Sequence, residues 1–176
     1  MLTAQAVAAD CPPAPDVEAE LDTLIAQANG AENFTQGREA SDAMWRLWLR
    51  APDQGAQDLL DRGMRRRDVF DLLGAYGDFT ALTDYCPDYA EGWNQRAFVS
   101  YLREDYAAAL VDLDRALELQ PRHVGAQSGR GLTLMQMGRL AEARKQMLEA
   151  VDNNPWLGEA ALLEPGQPLG PEGEDI

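Results

Sequence analysis

Between residues 106 and 119 the chain reads "YAAALVDLDRALEL", and Tyr106, Leu110, Leu113 and Leu117 follow one another at spacings of four, three and four. That spacing puts them on one face of a helix. A second helical stretch precedes it, with "REDY" marking the turn between the two. Pro121 then ends the second helix, because proline disfavours helical backbone in the residue before it. The pair fills residues 90–123, and residues 124–157 repeat its layout at a period of 34. Ala97 falls opposite Gly131, Ala109 opposite Ala143, Leu113 opposite Met147, Ala116 opposite Ala150, and Pro121 opposite Pro155. Going backwards, Gly63, Ala75, Phe79, Leu82 and Pro87 take the same slots in residues 56–89. Ala40, Met44, Leu47 and Pro52 fit the second half of a weaker copy before that. The four prolines lie 35, 34 and 34 residues apart.

Small residues at fixed slots let the two helices of a copy approach closely. A lone helical hairpin cannot bury its apolar face, so the copies must stack. The expected fold is therefore all-α, a solenoid of antiparallel hairpins. These residues resemble the tetratricopeptide repeat family, whose key slots read Trp, Leu, Gly, Tyr, then Ala, Phe, Ala, Pro. The copy at 90–123 supplies Trp93, Arg96, Ala97, Ser100, Ala109, Leu113, Ala116 and Pro121. The next supplies Gln127, Arg130, Gly131, Leu134, Ala143, Met147, Ala150 and Pro155. Arg96 and Ser100 depart from the pattern, with Tyr101 one place late. The resemblance covers residues 56–157 well and 17–54 weakly.

The resemblance implies a right-handed superhelix in which the first helix of each copy lines a concave groove. Its exposed slots carry Met64, Phe98 and Leu132, then Arg67, Tyr101 and Met135, edged by Asn94, Gln95, Ser128 and Gln136. An apolar strip with amide neighbours suits an extended or helical peptide. The expected function is a non-catalytic scaffold or adaptor that binds a polypeptide. The alternative is a structural subunit using its convex face or its ends. The strip has an alternative as well, a cover formed by the C-terminal segment. Some members of the family clamp C-terminal carboxylates with Lys, Asn and Arg. The Asn and Lys slots of that clamp are not filled here, so chaperone-tail binding is not expected.

The flanks are less regular. Residues 16–54 read as a degenerate hairpin that caps the start of the stack. Val17, Leu21, Leu24, Ile25 and Ala28 make its first stripe, Asp16 its N-cap, and Met44, Leu47, Trp48 and Ala51 its second. Gly74 and Gly77 fall inside the second helix of the first full copy, at about 1 kcal/mol each relative to Ala. That hairpin is expected to be the least rigid. Residues 156–163 read as a short closing helix, and 164–176 as a disordered acidic tail. Residues 1–15 read as an extended lead-in whose "AVA" resembles the end of a secretory signal.

Composition narrows the chemistry. A net charge of −15 argues against nucleic acid and against anionic membrane surfaces. No stretch is apolar enough to predict insertion into a bilayer. The single histidine, His123, sits beside Pro121 and reads as a surface turn residue. Asp112 and Asp114 do not share a helix face, so they read as solvated surface. No catalytic residue, cofactor or metal site is expected. The run Arg65–Arg66–Arg67 reads as a solvated face paired with Asp61 and Asp68, or else as a contact for an acidic partner segment. Cys11 and Cys86 are candidates for a disulfide that closes a loop of about 75 residues, stabilising by roughly 4 kcal/mol. The alternative is two unrelated thiols. A disulfide requires an oxidising compartment, which agrees with the signal-like start. The expected location is therefore the periplasm, with the cytoplasm as the alternative, and the expected state is a monomer.

Overall fold

The computed structural model describes residues 10–171. Helices α1 (Glu18–Asn29) and α2 (Phe34–Trp48) form an N-terminal hairpin. Three further hairpins follow: α3 (Gln54–Asp68) with α4 (Leu72–Tyr85), α5 (Ala90–Leu102) with α6 (Tyr106–Leu119), and α7 (Val124–Gln136) with α8 (Leu140–Asn153). A 3-10 helix, Gly158–Leu163, closes the described chain. Each helix from α3 to α8 packs on its neighbours in order, so the three hairpins form one continuous stack. No described helix is long and apolar enough to cross a membrane.

Local chemistry sets the helix starts. The side chains of Asp53, Asp71, Asp105 and His123 accept the N–H groups of Ala56, Gly74, Ala108 and Ala126, each satisfying one of the free donors at a helix N-terminus. Asp16 accepts the Glu18 N–H at the start of α1. The turn inside each of the last three hairpins has one left-handed residue, at Phe70 (φ 61°), Glu104 (φ 61°) and Gly138 (φ 72°). These are 34 apart, and only Gly138 adopts that conformation without a Cβ penalty.

A polar ladder replaces part of the apolar packing within each hairpin. Arg62 pairs with Asp78 at 2.7 Å. Arg96 pairs with Asp112 through two hydrogen bonds of 2.8 and 2.6 Å. Arg130 donates to Gln146 at 3.1 Å. In every case the arginine sits 16 residues before its acceptor and 34 from the next arginine. Arg96 also donates to Thr83 at 2.9 Å and lies over the Trp93 ring, 4.7 Å from its centroid. It stands where the repeat pattern calls for Leu, and Asp112 is what makes it tolerable there. Asp112 is thus buried at 4% exposure and is not solvated surface, because Arg96 needs a counter-charge inside the hairpin. Asp114 stays at the exterior, paired with Arg130 at 2.7 Å.

The N-terminal hairpin lies elsewhere than a preceding copy would. Its buried residues Leu21, Ala28, Ala40, Met44, Leu47 and Trp48 share a cluster with Val124 of α7, against which Trp156 and Leu157 also pack. None of that cluster comes from α3 or α4. The hairpin runs along the rim made by the turns that follow α4, α6 and α8. Tyr89 donates its hydroxyl to the Trp48 carbonyl at 2.6 Å. Arg122 pairs with Glu18 and Asp22. Asn154 donates to Ser41 at 2.8 Å, and the Trp156 indole donates to the Ala28 carbonyl at 2.8 Å. Gly37 lies flat against that indole, where a Cβ would overlap the ring. The expectation of a cap at the start of the stack is corrected by these pairs: acids of α1 meet Arg122, and Trp156 fits only over Gly37.

Two further elements tie the ends down. Cys11 and Cys86 form a disulfide, with Cα atoms 5.2 Å apart and a separation of 75 positions in sequence. Residues 164–171, expected to begin a disordered tail, are anchored through one residue while most of the segment is exposed. Leu169 is buried against Leu134, Ala143, Met147 and Ala150, its N–H donates to Leu162 at 3.0 Å, and its carbonyl accepts from Arg144. One leucine with a backbone partner is enough to hold this segment to α8. The signal-like stretch at 1–9 and residues 172–176 lie outside the described residues.

Candidate functional site

The first helices of the three copies, α3, α5 and α7, present side chains to a cavity of about 400 Å3 on the concave side. Phe98 is 46% exposed, and Met64, Tyr101, Leu132, Leu49 and Trp45 complete its apolar wall. Eight of the expected groove residues line this cavity: Met64, Arg67, Asn94, Gln95, Phe98, Tyr101, Ser128 and Leu132. Met135 and Gln136 do not. Met135 packs against the cluster of Leu134, Met147 and Leu169, because the closing segment covers that end of α7. The Gln136 amide turns to the Tyr101 hydroxyl at 3.4 Å.

Among the wall residues that sequence reasoning missed are Leu49, just after α2, and Trp45 and Glu159. Trp45 arrives from α2 because the N-terminal hairpin lies on the rim, and it leans on Gly125, where a Cβ would come within 2.6 Å of the indole. Glu159 arrives from the 3-10 helix. Neither has a repeat slot that could have signalled it. The closing segment therefore reaches the edge of the groove at Glu159 and leaves Phe98 open.

Beneath the apolar wall lies a closed polar network. Glu91 is 1% exposed, and its carboxylate accepts from Asn94 at 2.9 Å, Gln95 at 2.5 Å and His123 at 2.8 Å. His123 is fully buried, which corrects its reading as a surface turn residue. Its ring stacks on Trp48 with centroids 4.2 Å apart, and Nδ1 accepts the Ala126 N–H at 3.2 Å. With Nδ1 an acceptor, the proton belongs on Nε2, which donates to Glu91. A lone histidine beside a proline gave no sign of this, because its partner lies 32 residues earlier, at the start of α5. The pair is sealed from solvent and holds two copies and the N-terminal hairpin together.

The network changes what the groove offers. Asn94 and Gln95 are buried, and each donates an amide N–H to Glu91. Gln95 in turn accepts from Arg67 at 2.5 Å, while Arg67 pairs with Asp68 at 2.7 Å and lies over the Phe98 ring. Arg66 pairs with Asp71 and Asp78, leaving Arg65 as the exposed member of the arginine run. The accessible surface is therefore mainly apolar.

The tetratricopeptide repeat family model matches residues 101–156. Over that stretch the chain carries the tetratricopeptide repeat pattern. A TPR repeat-containing protein of Rhizobium etli is 40% identical over 52 residues, 30% of this chain and 26% of that one. The tetratricopeptide repeat protein 36 homolog of Nematostella vectensis is 37% identical over 65 residues, 37% of this chain and 36% of that one. This chain thus spans about a quarter to a third of the length of those relatives. Among solved structures, the first tetratricopeptide domain of Spaghetti, bound to the HSP90 peptide SRMEEVD, superposes with a TM-score of 0.60 at 24% identity. The match covers 61% of this chain and 86% of that domain, and it supports the repeat fold. The all-helical repeat architecture holds for this chain. The tetratricopeptide slots account for Ala97, Ala109, Ala116, Gly131, Ala143 and Ala150, all buried between helices.

Proposed function

We propose that this chain is a non-catalytic protein-binding module that holds a segment of a partner polypeptide in the concave groove of its repeats. The observation that carries the reading is Phe98, a large apolar side chain left open at the centre of a preformed apolar cavity. A rigid concave apolar surface of this kind is the usual form of a ligand site. The peptide held by the Spaghetti domain shows that a related fold serves this purpose in another protein. The proposal extends to location. A disulfide between Cys11 and Cys86 favours an oxidising compartment, and a periplasmic setting is the one we adopt. As an adaptor the chain acts as a monomer.

Affinity capture from envelope extracts with the wild type and with Phe98→Ala or Leu132→Ala tests this reading. Partners identified by mass spectrometry are expected to be lost from both variants. Retention of the same partners by both would overturn it. A second reading, a structural subunit working through its outer edge, draws on Val69, Phe70 and Leu73, which are 75%, 77% and 75% exposed at the turn between α3 and α4. A solution mass above that of the monomer, returning to it in Phe70→Ser, would favour the second reading.

A further inference from the structure

We propose that the groove takes a cationic, apolar-anchored segment: one large aliphatic or aromatic side chain in the cavity, with Lys or Arg beside it. The inference rests on the groove being the binding face. Trp45, Phe98, Tyr101 and Leu132 leave a cavity of about 400 Å3, which accommodates a large side chain. The charge lining that cavity then decides what flanks the anchor.

Arg67 is the basic residue of the lining, and it is already committed. Its guanidinium donates to Gln95 and to Asp68 and covers the Phe98 ring. The amide donors that a carboxylate would seek, on Asn94 and Gln95, point inward to Glu91. An acidic ligand therefore meets no uncommitted cation in the lining. Glu159 is the opposite case. Its carboxylate lines the cavity and makes no ion pair with any described residue. The net charge of −15 biases the field around the groove in the same direction. The groove thus suits the opposite charge to the acidic peptide SRMEEVD held by the Spaghetti domain.

The test uses the full oxidised chain and three fluorescein-labelled peptides that share a central Phe-Leu pair. The pair is flanked by lysines, by glutamates or by serines. Binding is read by fluorescence anisotropy at low and at physiological ionic strength. The lysine peptide is expected to bind at least about tenfold tighter than the glutamate peptide at low salt, with the gap shrinking as salt rises. Phe98→Ala is expected to weaken all three by about tenfold. Glu159→Gln is expected to narrow the lysine–glutamate gap by about two- to threefold. If the glutamate peptide binds as tightly as the lysine peptide, and Phe98→Ala still weakens both, the charge inference is overturned and the groove reading stands. If the gap is unchanged in Glu159→Gln, the preference belongs to overall charge and the assignment to this site falls. If no peptide binds, or Phe98→Ala changes nothing, the groove reading itself fails.

Discussion

Removing Asp112 is the sharpest probe of how these hairpins tolerate charge in their interior. The Arg96 and Asp112 side chains are 14% and 6% exposed and share two short hydrogen bonds. In Asp112→Ala the guanidinium keeps the Thr83 hydroxyl as its hydrogen-bond partner and loses its counter-charge. Breaking such a pair by deleting one member costs about 3–5 kcal/mol. That is a large part of the roughly 5–15 kcal/mol that holds a typical domain together. Arg96→Leu, which supplies the residue of the repeat pattern, is expected to be costly too, since it strands the Asp112 carboxylate. The double variant Arg96→Leu/Asp112→Ala removes both charges and is expected within about 1–2 kcal/mol of the parent. Urea unfolding followed by far-ultraviolet circular dichroism gives all four free energies by linear extrapolation. The cycle then isolates the coupling. A loss below about 1 kcal/mol for Asp112→Ala, or a double variant whose loss equals the sum of the singles, would refute the argument.

Three other outcomes follow from the structure. Reduction of the Cys11–Cys86 disulfide, or Cys11→Ser/Cys86→Ser, is expected to cost about 4 kcal/mol in the same assay; a cost below about 1 kcal/mol would contradict the loop-closure account. Phe70→Gly is expected to raise stability by about 1 kcal/mol, because the φ of 61° is strained for phenylalanine and its side chain is exposed; a lower melting temperature would argue that the ring packs on something. The Ala56 N–H and the Tyr85 hydroxyl hold the Asp53 carboxyl below its ordinary value of 3.8. The stability it lends is present above that ordinary value and lost as pH falls through the lowered one. The difference between the wild type and Asp53→Asn should therefore shrink as pH drops below about 4, and a difference that grows would be inconsistent with the assignment.

The repeats were legible because burial itself recurs: Ala75, Ala109 and Ala143 stand 34 apart and each is fully buried. The arginine ladder went unread although it is periodic, a cation recurring at 62, 96 and 130 with an acid or amide 16 residues later: Arg96 was taken for a departure from the repeat and Asp112 for surface. The docking of the N-terminal hairpin was not legible. It depends on single long-range fits, Trp156 over Gly37 and Arg122 with Glu18 and Asp22, that have no period to betray them. The same holds for the groove. Residues on repeat slots, such as Phe98 and Leu132, were found, whereas Trp45 and Glu159 reach it only through the placement of non-repeated segments. His123 was misread for a related reason. Burial of an imidazole depends on who supplies the carboxylate, and Glu91 is distant in the chain.

The hairpin along the rim has a mechanical consequence. An ordinary row of repeats touches only its neighbours, and it can flex or fray one unit at a time. Here one strut is fastened to the joints after the first, second and third units, at Tyr89, at Arg122 with His123, and at Asn154 with Trp156. The row becomes a braced arch. Its span is set by the fold itself, so on the proposed reading a bound segment is gauged against a set width and little order has to be created on contact.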